Sequence, residues 1–215
     1  EGDCISEKIQ KFHREVGALI WIQNAHVVRV FDFGETPHSF YLAMEYLTGL
    51  DLHNLLRFQG PLSQRRTVHL LIQICEGLQA LHDKGILHQD LKPSNLFLTV
   101  TKTEYDFVKI IDFDIARGRK TQEAQDKLRG KIRLPGTPAY MSPERFEGQG
   151  DIGADIYALG VIMYRLLSGQ LPFRASSVEE YRQLHSEVEV PTAPLYLAHS
   201  DLLPLVEEII LTALA

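Results

Sequence analysis

Three side chains within eight residues of the sequence could together assist the transfer of a phosphoryl group. The stretch HQDLKPSN at 88–95 contains Asp90, Lys92 and Asn95, and Asp112 follows in IIDFD. Phosphoryl transfer needs an oriented hydroxyl, metal-held phosphates and neutralised charge rather than covalent help. A carboxylate can accept the hydroxyl proton, and a lysine beside it can neutralise the moving group. An amide oxygen and a second carboxylate are hard ligands of the kind that Mg²⁺ prefers.

The composition of the chain narrows the class of protein. The 215 residues are 45% hydrophobic and 23% charged, with a net charge of −6, which is typical of a globular domain with a real core. The sequence has no block of Lys and Arg of the kind that indicates nucleic-acid binding. No apolar run reaches the roughly 18 residues of a membrane span. Two cysteines, Cys4 and Cys75, are typical of a reducing compartment such as the cytoplasm. Cys75 lies in an apolar helical stretch and is expected to be buried.

The hydrophobic pattern of the first sixty residues predicts a helix, two strands and a second helix. Helical spacing of apolar residues covers 5–20. Two segments rich in Val, Phe and Tyr, 26–35 and 39–47, are typical of strands joined by a turn. A short helix is expected over 50–59, where Gly-Pro closes it.

The rest of the pattern is mostly helical. The elements predicted in order are a long helix over about 64–84, two short strands in NLFLTV and FVKIID, a polar loop over 114–136, a strongly apolar helix that begins with ADIYALG, and a last helix from near Asp201. Asn95 is the first residue of the first short strand, and Asp112 is the last residue of the second.

Five stretches of the sequence match, in order, the motifs of one enzyme family. HQDLKPSN matches the catalytic loop H-R-D-x-K-P-x-N except at Gln89, and Asp112-Phe113 matches D-F-G with Asp114 in place of glycine. The other three are MEYLTGLDL at 44–52, GTPAYMSPE at 136–144 and DIYALG at 155–160. The chain thus resembles a eukaryotic-type protein kinase, and is closest to the bacterial Hanks-type serine/threonine branch. Asp90, Lys92 or Asn95 taken alone would be typical of a turn, whereas the ordered set of motifs is specific to the family.

The resemblance implies an α+β fold with two lobes, of which the chain would contain mostly the helical C-lobe. Residues 1–46 would be a partial N-lobe, formed by one helix and two strands, without the family's glycine-rich loop and strand lysine. Residues 47–215 would be the C-lobe, incomplete at its C-terminal end. The sequence is therefore expected to be a fragment of a longer protein, with little activity by itself. The parent protein could include other signalling domains.

The family's chemical roles can be assigned to matching positions. Asp90 would be the catalytic base, and Lys92 would lie near the γ-phosphate of ATP, as in serine/threonine kinases. Asn95 and Asp112 would hold Mg²⁺. On the nucleotide side, Met44 would be the gatekeeper, Glu45 and Leu47 would meet the adenine through backbone groups, Asp51 would contact the ribose, and Phe97 would pack below the base.

Six further positions would be structural or regulatory. They are Glu15 as the partner of the strand lysine, His88 and Phe113 in the stacked regulatory spine, Thr137 as a bridge between Asp90 and Lys92, Glu144 as a tie for the activation segment, and Asp155 as a support for the catalytic-loop backbone. Without the resemblance, Asp51 would equally be a helix N-cap, and Glu15 would be a solvated helix charge.

Two departures from the family's pattern leave two hypotheses of function. Gln89 replaces the arginine that receives an activation-loop phosphate, and Thr121 is the only hydroxyl residue over 115–135, which predicts a non-RD kinase that needs no such phosphate. Asp114 replaces a flexible glycine and adds charge near the metal. The first hypothesis is a Ser/Thr kinase that uses ATP and Mg²⁺ on protein substrates. The alternative is a pseudokinase that acts as a scaffold or a regulatory interaction domain.

Overall fold

The computed structural model describes residues 17, 19–36, 40–101, 105–112 and 136–215. The predicted helix over 5–20 therefore lies mostly outside the described residues, although 17, 19 and 20 are helical. The polar loop predicted over 114–136 also lies outside them, apart from its last residue. The expectations for Glu15, Phe113, Asp114 and Thr121 concern residues that are not described.

Two antiparallel strands form the smaller sheet. Strand β1 (Val30–Glu35) pairs with β2 (Phe40–Met44), and Phe33 lies opposite Leu42. These strands confirm the sequence prediction. The segment before β1 is anchored to the larger sheet by a parallel bridge between Val27 and Ile110.

Three antiparallel strands form the larger sheet, in the order β3 (Gly49–Asp51), β4 (Leu96–Thr99) and β5 (Phe107–Ile110). Alternate residues of β4 and β5 are buried, because successive side chains of a strand point to opposite faces. The predicted pair of short strands is confirmed. The sheet places the end of the catalytic loop beside the residue after β5, since the backbone N–H of Ile111 donates to the carbonyl of Asn95 at 2.9 Å.

Helices form most of the regular secondary structure of the described chain. They are α1 (Leu52–Gln59), α2 (Gln64–His82), α3 (Pro143–Phe146), α4 (Ile152–Ser168), α5 (Val178–Glu187), α6 (Ala193–Ala198) and α7 (Pro204–Ala213). The sequence predicted α1, α2, α4 and a last helix, but it did not predict α3, α5 or α6. None of the helices in the described part of the chain is both long enough and apolar enough to span a membrane.

Helix α4 lies at the centre of the core, and α2, α6 and α7 pack against it. Most of its residues are buried, as its apolar sequence predicts. Asp155 in the first turn of α4 bonds to the catalytic loop, and His82 at the end of α2 bonds to Asp155. On α2, Leu70, Ile74, Leu78 and Leu81 are buried. Cys75 is exposed, so the prediction that it is buried was wrong, because the buried stripe of α2 passes one position before it.

Candidate active site

The start of the catalytic loop is held by one buried carboxylate. Asp155, in the first turn of α4, accepts the backbone N–H of His88 at 2.9 Å and that of Gln89 at 3.0 Å. The Nε2 atom of His82 lies 2.8 Å from the same carboxylate. Burial alone would raise the pKa of Asp155, but the hydrogen bonds from His82, His88 and Gln89 together lower it below its ordinary value.

Two non-glycine residues of the site have left-handed backbone conformations. Gln89 has a φ of 65° and Asp112 has a φ of 58°. Among the described residues, these are the two non-glycine residues with positive φ. Such conformations are uncommon and occur where the surrounding structure fixes them, often at functional sites. One of them precedes Asp90 directly, and the other is a predicted metal ligand.

Asp90, Lys92 and Thr137 form a closed triangle of polar contacts. The ammonium group of Lys92 lies 2.5 Å from Oδ2 of Asp90. The hydroxyl of Thr137 donates to Oδ1 of Asp90 at 2.9 Å, and Lys92 donates to the same hydroxyl at 3.2 Å. The structure thus brings Thr137 to two catalytic-loop residues that lie 47 and 45 positions before it. Because both oxygens of Asp90 are bonded and the residue is buried, the carboxylate has a fixed orientation.

The ladder between β4 and β5 places Asn95 opposite Ile111, the residue before Asp112. Asn95 is buried, and its Nδ2 donates to the carbonyl of Asp90 at 2.9 Å. Its Oδ1 keeps a long contact of 3.4 Å with the hydroxyl of Ser94. Asp112 is exposed and directly follows Ile111, whose N–H bonds to Asn95.

The oxygen atoms of these two side chains fit a magnesium ion that is shared with a substrate. Asn95 and Asp112 offer one amide oxygen and one carboxylate, both hard ligands. Within the described residues, no group of three or more His, Cys, Asp and Glu side chains could hold a metal. Mg²⁺ in phosphoryl-transfer sites uses one or two protein ligands together with phosphates and water, so the chemistry of these residues agrees with such an ion.

His88 is completely buried and has a structural environment. Its Nε2 lies 3.1 Å from the carbonyl of Ile111, so the ring links the start of the catalytic loop to the residue before Asp112. Burial lowers the pKa of His88 by more than the nearby charge of Asp155 raises it. The ring is therefore neutral at pH 7.

The residues predicted to meet the adenine lie at the end of β2. Met44 is exposed at 42%. Glu45 donates its backbone N–H to the carbonyl of Arg29 at 2.9 Å, and its side chain accepts the N–H of Arg29 at 2.8 Å. The same Oε1 atom lies 2.6 Å from the ammonium group of Lys109 on β5. Leu47 is half-buried against the core.

Asp51 and Phe97 lie opposite each other on β3 and β4. The Oδ1 atom of Asp51 accepts the backbone N–H of Asn54 at 2.8 Å, and Oδ2 accepts its side-chain amide at 2.7 Å. Asp51 is therefore the N-cap of α1, as one of the two alternatives predicted. Phe97 is half-buried.

Glu144 lies half-buried in α3, and its carboxylate makes no ion pair within the described residues. Burial raises the pKa of Tyr157, and the nearby charge of Glu144 raises it further. Glu15 and Phe113 lie outside the described residues, so the structure does not place them.

Two residues of the site had no role in the sequence analysis. His82 is buried against Asp155 although the two are 73 positions apart. Arg145, in α3, donates through Nη2 to the carbonyl of Gln89 at 3.3 Å. The sequence signal for His82 was its position in the last turn of α2, just before the catalytic loop. For Arg145, the sequence offered no signal, because the contact depends on how α3 packs.

Comparison with known proteins identifies the family. The model of the family described as "Protein kinase domain" matches residues 3–210. The chain belongs to the protein kinase domain family. Serine/threonine-protein kinase Pkn1 of Myxococcus xanthus is 40% identical over 211 residues, which are 97% of this kinase domain chain and 29% of that protein.

Other relatives agree with this assignment. Serine/threonine-protein kinase pkn3 of Myxococcus xanthus is 35% identical, over 96% of this chain and 38% of that protein. The kinase domain chain thus spans about a third of the length of the curated relatives that it matches. The solved structure of Rad53 1-466 in complex with AMP-PNP has a TM-score of 0.79 at 24% identity, and covers 95% of this chain and 49% of that chain. This likeness confirms the predicted kinase fold.

Proposed function

We propose that this domain transfers the γ-phosphate of ATP to serine and threonine hydroxyls of proteins, with Asp90 as the general base. The observation that supports it most is the triangle of Asp90, Lys92 and Thr137. It combines a fixed carboxylate with a cation in one place, and phosphoryl transfer depends on this kind of positioning and charge neutralisation.

In the proposed mechanism, Asp90 orients the substrate hydroxyl and accepts its proton as the bond to phosphorus forms. Lys92 stays close enough to neutralise charge on the moving phosphoryl group. Asn95 and Asp112 would hold Mg²⁺, which supplies charge neutralisation at the ATP phosphates when it is bound. The bond from Asn95 to the carbonyl of Asp90 keeps the metal ligand and the base in a constant relation.

On the nucleotide side, the proposal assigns the backbone of Glu45 and Leu47 to the adenine. Met44 is the gatekeeper, and Phe97 packs below the base. The ion pair between Glu45 and Lys109 supports this assignment, because it fixes the backbone that would meet the base. Asp51 caps α1 through both carboxylate oxygens, and we assign it a ribose contact in addition.

The remaining roles of the proposal are structural. His88 and Asp155 hold the catalytic loop, Thr137 bridges Asp90 and Lys92, and Glu144 ties down the activation segment. Glu15 and Phe113 keep their proposed roles as the partner of the strand lysine and a member of the regulatory spine. We propose the division into a partial N-lobe over 1–46 and a C-lobe over 47–215 on the same basis. The cysteine content supports a cytoplasmic location.

We also propose that the domain is a non-RD kinase whose activity needs no phosphate in the activation loop. Gln89 is uncharged and cannot pair with a phosphate as arginine does. Thr121→Ala is expected to transfer phosphate as fast as the wild type. Loss of transfer in this variant, with the fold intact, would contradict the proposal.

The alternative, a pseudokinase that binds partners without transfer, is favoured by one observation. Asp114 stands where the family has glycine, two positions after the proposed metal ligand Asp112. A second carboxylate there could weaken the productive arrangement of Asp112. Such a domain would act by binding a partner protein.

The experiment that separates the two hypotheses measures transfer of labelled γ-phosphate in the intact protein. Peptides that differ only in a Ser, Thr or Tyr acceptor serve as substrates, with Asp90→Asn as the matched control. Labelling of the Ser and Thr peptides by the wild type but not by Asp90→Asn is the expected result. If neither protein labels any substrate although both are folded, the pseudokinase hypothesis is correct.

A further inference from the structure

The residue before the proposed base has its backbone held from two sides. Gln89 adopts a φ of 65°, which is strained for a residue with a side chain. Its N–H donates to Asp155 at 3.0 Å, and its carbonyl accepts from Arg145 at 3.3 Å. Each of the two peptide groups that meet at Gln89 is therefore fixed by a different helix. The carbonyl belongs to the peptide that leads directly into Asp90.

Arg145 lies near two glycines, Gly150 and Gly136. A β-carbon on Gly150 would lie 2.6 Å from Cδ of Arg145 and 3.3 Å from its Nη1. A β-carbon on Gly136 would lie 3.9 Å from Nη2 of Arg145 and 3.5 Å from the carbonyl oxygen of Gln89. The backbone of Gly136 also has a φ of 113°, which glycine adopts without strain. Gly150 thus leaves room for the Arg145 side chain, whereas a β-carbon on Gly136 would meet its guanidinium at ordinary van der Waals distance.

We infer that Arg145 is a positioning residue for Asp90, which it orients through the carbonyl of Gln89. This inference rests on the proposed kinase function. A hydrogen bond from a guanidinium is charge-assisted and stronger than a neutral one. With five donors, Arg145 can make this bond together with its other contacts. Asp155 fixes the peptide before Gln89, and Arg145 fixes the peptide after it.

In the H-R-D motif of the family, the arginine at the position of Gln89 supplies a cation. Here, Arg145 of α3 supplies one instead. Gln89 contributes no charge to this turn, whereas Arg145 places its guanidinium on the backbone of the same residue. Helix α3 directly follows the segment that contains Thr137, which bonds to Asp90. The orientation of Asp90 therefore depends on the position of the segment 136–146, through Thr137 at the side chain and Arg145 at the backbone.

The test is steady-state kinetics of phosphate transfer in the intact protein. Arg145→Ala is expected to lower kcat about tenfold, the size of effect of one hydrogen bond to a charged group. The KM for ATP should stay unchanged, because Arg145 lies away from the nucleotide residues. Arg145→Lys should recover part of kcat, since a lysine can still donate to a carbonyl. Gly150→Ala should also lower kcat, because the added methyl displaces the Arg145 side chain while its charge is kept.

Arg174→Ala removes an exposed arginine elsewhere and should leave both constants unchanged. Thermal unfolding of every variant separates misfolding from misplacement of Asp90. If Arg145→Ala does not fold, Arg145→Lys and Gly150→Ala decide. Wild-type kcat in Arg145→Ala would overturn the inference and leave the kinase function intact. If that variant does not fold, wild-type kcat in both of the separate, folded variants Gly150→Ala and Arg145→Lys would do the same. Absence of transfer in the wild type would overturn the proposed function, and the inference with it.

Discussion

The catalytic loop buries its polar side chains, whereas the β1–β2 hairpin exposes its apolar ones. His88, Asp90 and Asn95 are all less than 9% exposed, although each of them is polar or charged. On the hairpin, Phe31 is 56% exposed and Tyr41 is 46% exposed. Both regions line the same proposed site, one on the side of the protein substrate and the other on the side of the nucleotide.

The difference shows which half of the site is organised within the described residues. Each buried polar side chain of the catalytic loop has hydrogen-bond partners, as buried polar groups require. Asp155 alone accepts two backbone N–H groups of the loop. Among the described residues, the main polar anchor of the hairpin end is the pair of Glu45 and Lys109. Substitutions in the catalytic loop are therefore expected to have large effects, and those on the nucleotide side small ones.

The largest effect is expected for Asp155→Ala. This change leaves the N–H groups of His88 and Gln89 and the ring of His82 without their acceptor in a buried place. Loss of a buried charged partner of this kind lowers the free energy of unfolding by about 3–5 kcal/mol, as urea denaturation would measure. A loss below about 1 kcal/mol would show that the catalytic loop is no better held than the hairpin.

Asp155→Asn serves as the matched control, because it keeps one acceptor oxygen and should lose less stability. The fold lowers the pKa of Asp155. Its contribution is therefore present above the ordinary carboxyl pKa, and is lost as the pH falls through the lower folded value. The acid-induced loss of stability below about pH 4 should be smaller in Asp155→Asn than in the wild type.

His185 tests whether buried polarity elsewhere in the helical part behaves in the same way. Its Nδ1 lies 2.6 Å from the hydroxyl of Tyr157, among the rings of Phe146, Phe173 and Tyr181. Burial lowers the pKa of His185 to about 4 from 6.5. Because the unfolded chain binds the proton first, stability is full above pH 6.5 and falls as the pH is lowered towards 4.

The measurement is urea denaturation at pH 7 and at pH 5. The wild type should lose about 2 kcal/mol more between these values than His185→Gln, since the glutamine cannot titrate. Equal losses in the two proteins would mean that His185 is reached by water and that the aromatic cluster does not exclude it.

A smaller effect is expected on the nucleotide side from Lys109→Met. The pair of Lys109 and Glu45 joins β5 to the end of β2 at 2.6 Å. A partly buried ion pair contributes about 1 kcal/mol. If that free energy positions the adenine site, its loss should raise the Kd for ATP about fivefold, with kcat at saturating ATP unchanged. Glu45→Gln keeps the bond to the N–H of Arg29 and should have a weaker effect. A Kd that stays at the wild-type value would show that this pair does not position the adenine site.

The smallest effect is expected from Asp51→Ala, which removes the N-cap of α1. The cost is about 1 kcal/mol of unfolding free energy. Asp51→Ser keeps a capping oxygen and should restore most of the stability. If the serine variant regains stability but binds ATP more weakly than the wild type, the ribose contact is supported. If its affinity for ATP is unchanged, Asp51 is an N-cap alone.

Much of the fold could be predicted because its main elements have strong local patterns. The apolar stripe of α2 and the nearly continuous apolar run of α4 are long enough to identify helices. Helices α5 and α6 were missed because they are short and mostly exposed. In α5, only His185 is buried, so no stripe marks a helix in the sequence.

The chemistry of the site was more predictable than its support. Asp90, Lys92 and Asn95 lie within one short motif, and Thr137 contacts the first two of them. The contact between His82 and Asp155 spans 73 positions, and the contact of Arg145 with Gln89 depends on the left-handed turn at Gln89. Long-range packing determines both, and periodicity does not report it.

The role of Asp90 can be tested most directly by single-turnover phosphate transfer with ATP already bound, in the intact protein and in Asp90→Asn. Both proteins should bind ATP with the same Kd, because Asp90 lies on the side of the protein substrate. Transfer by Asp90→Asn should be slower by about 10²–10⁴-fold, the usual contribution of a general base. Transfer at the wild-type rate in this variant would contradict the assignment of Asp90 as the catalytic base.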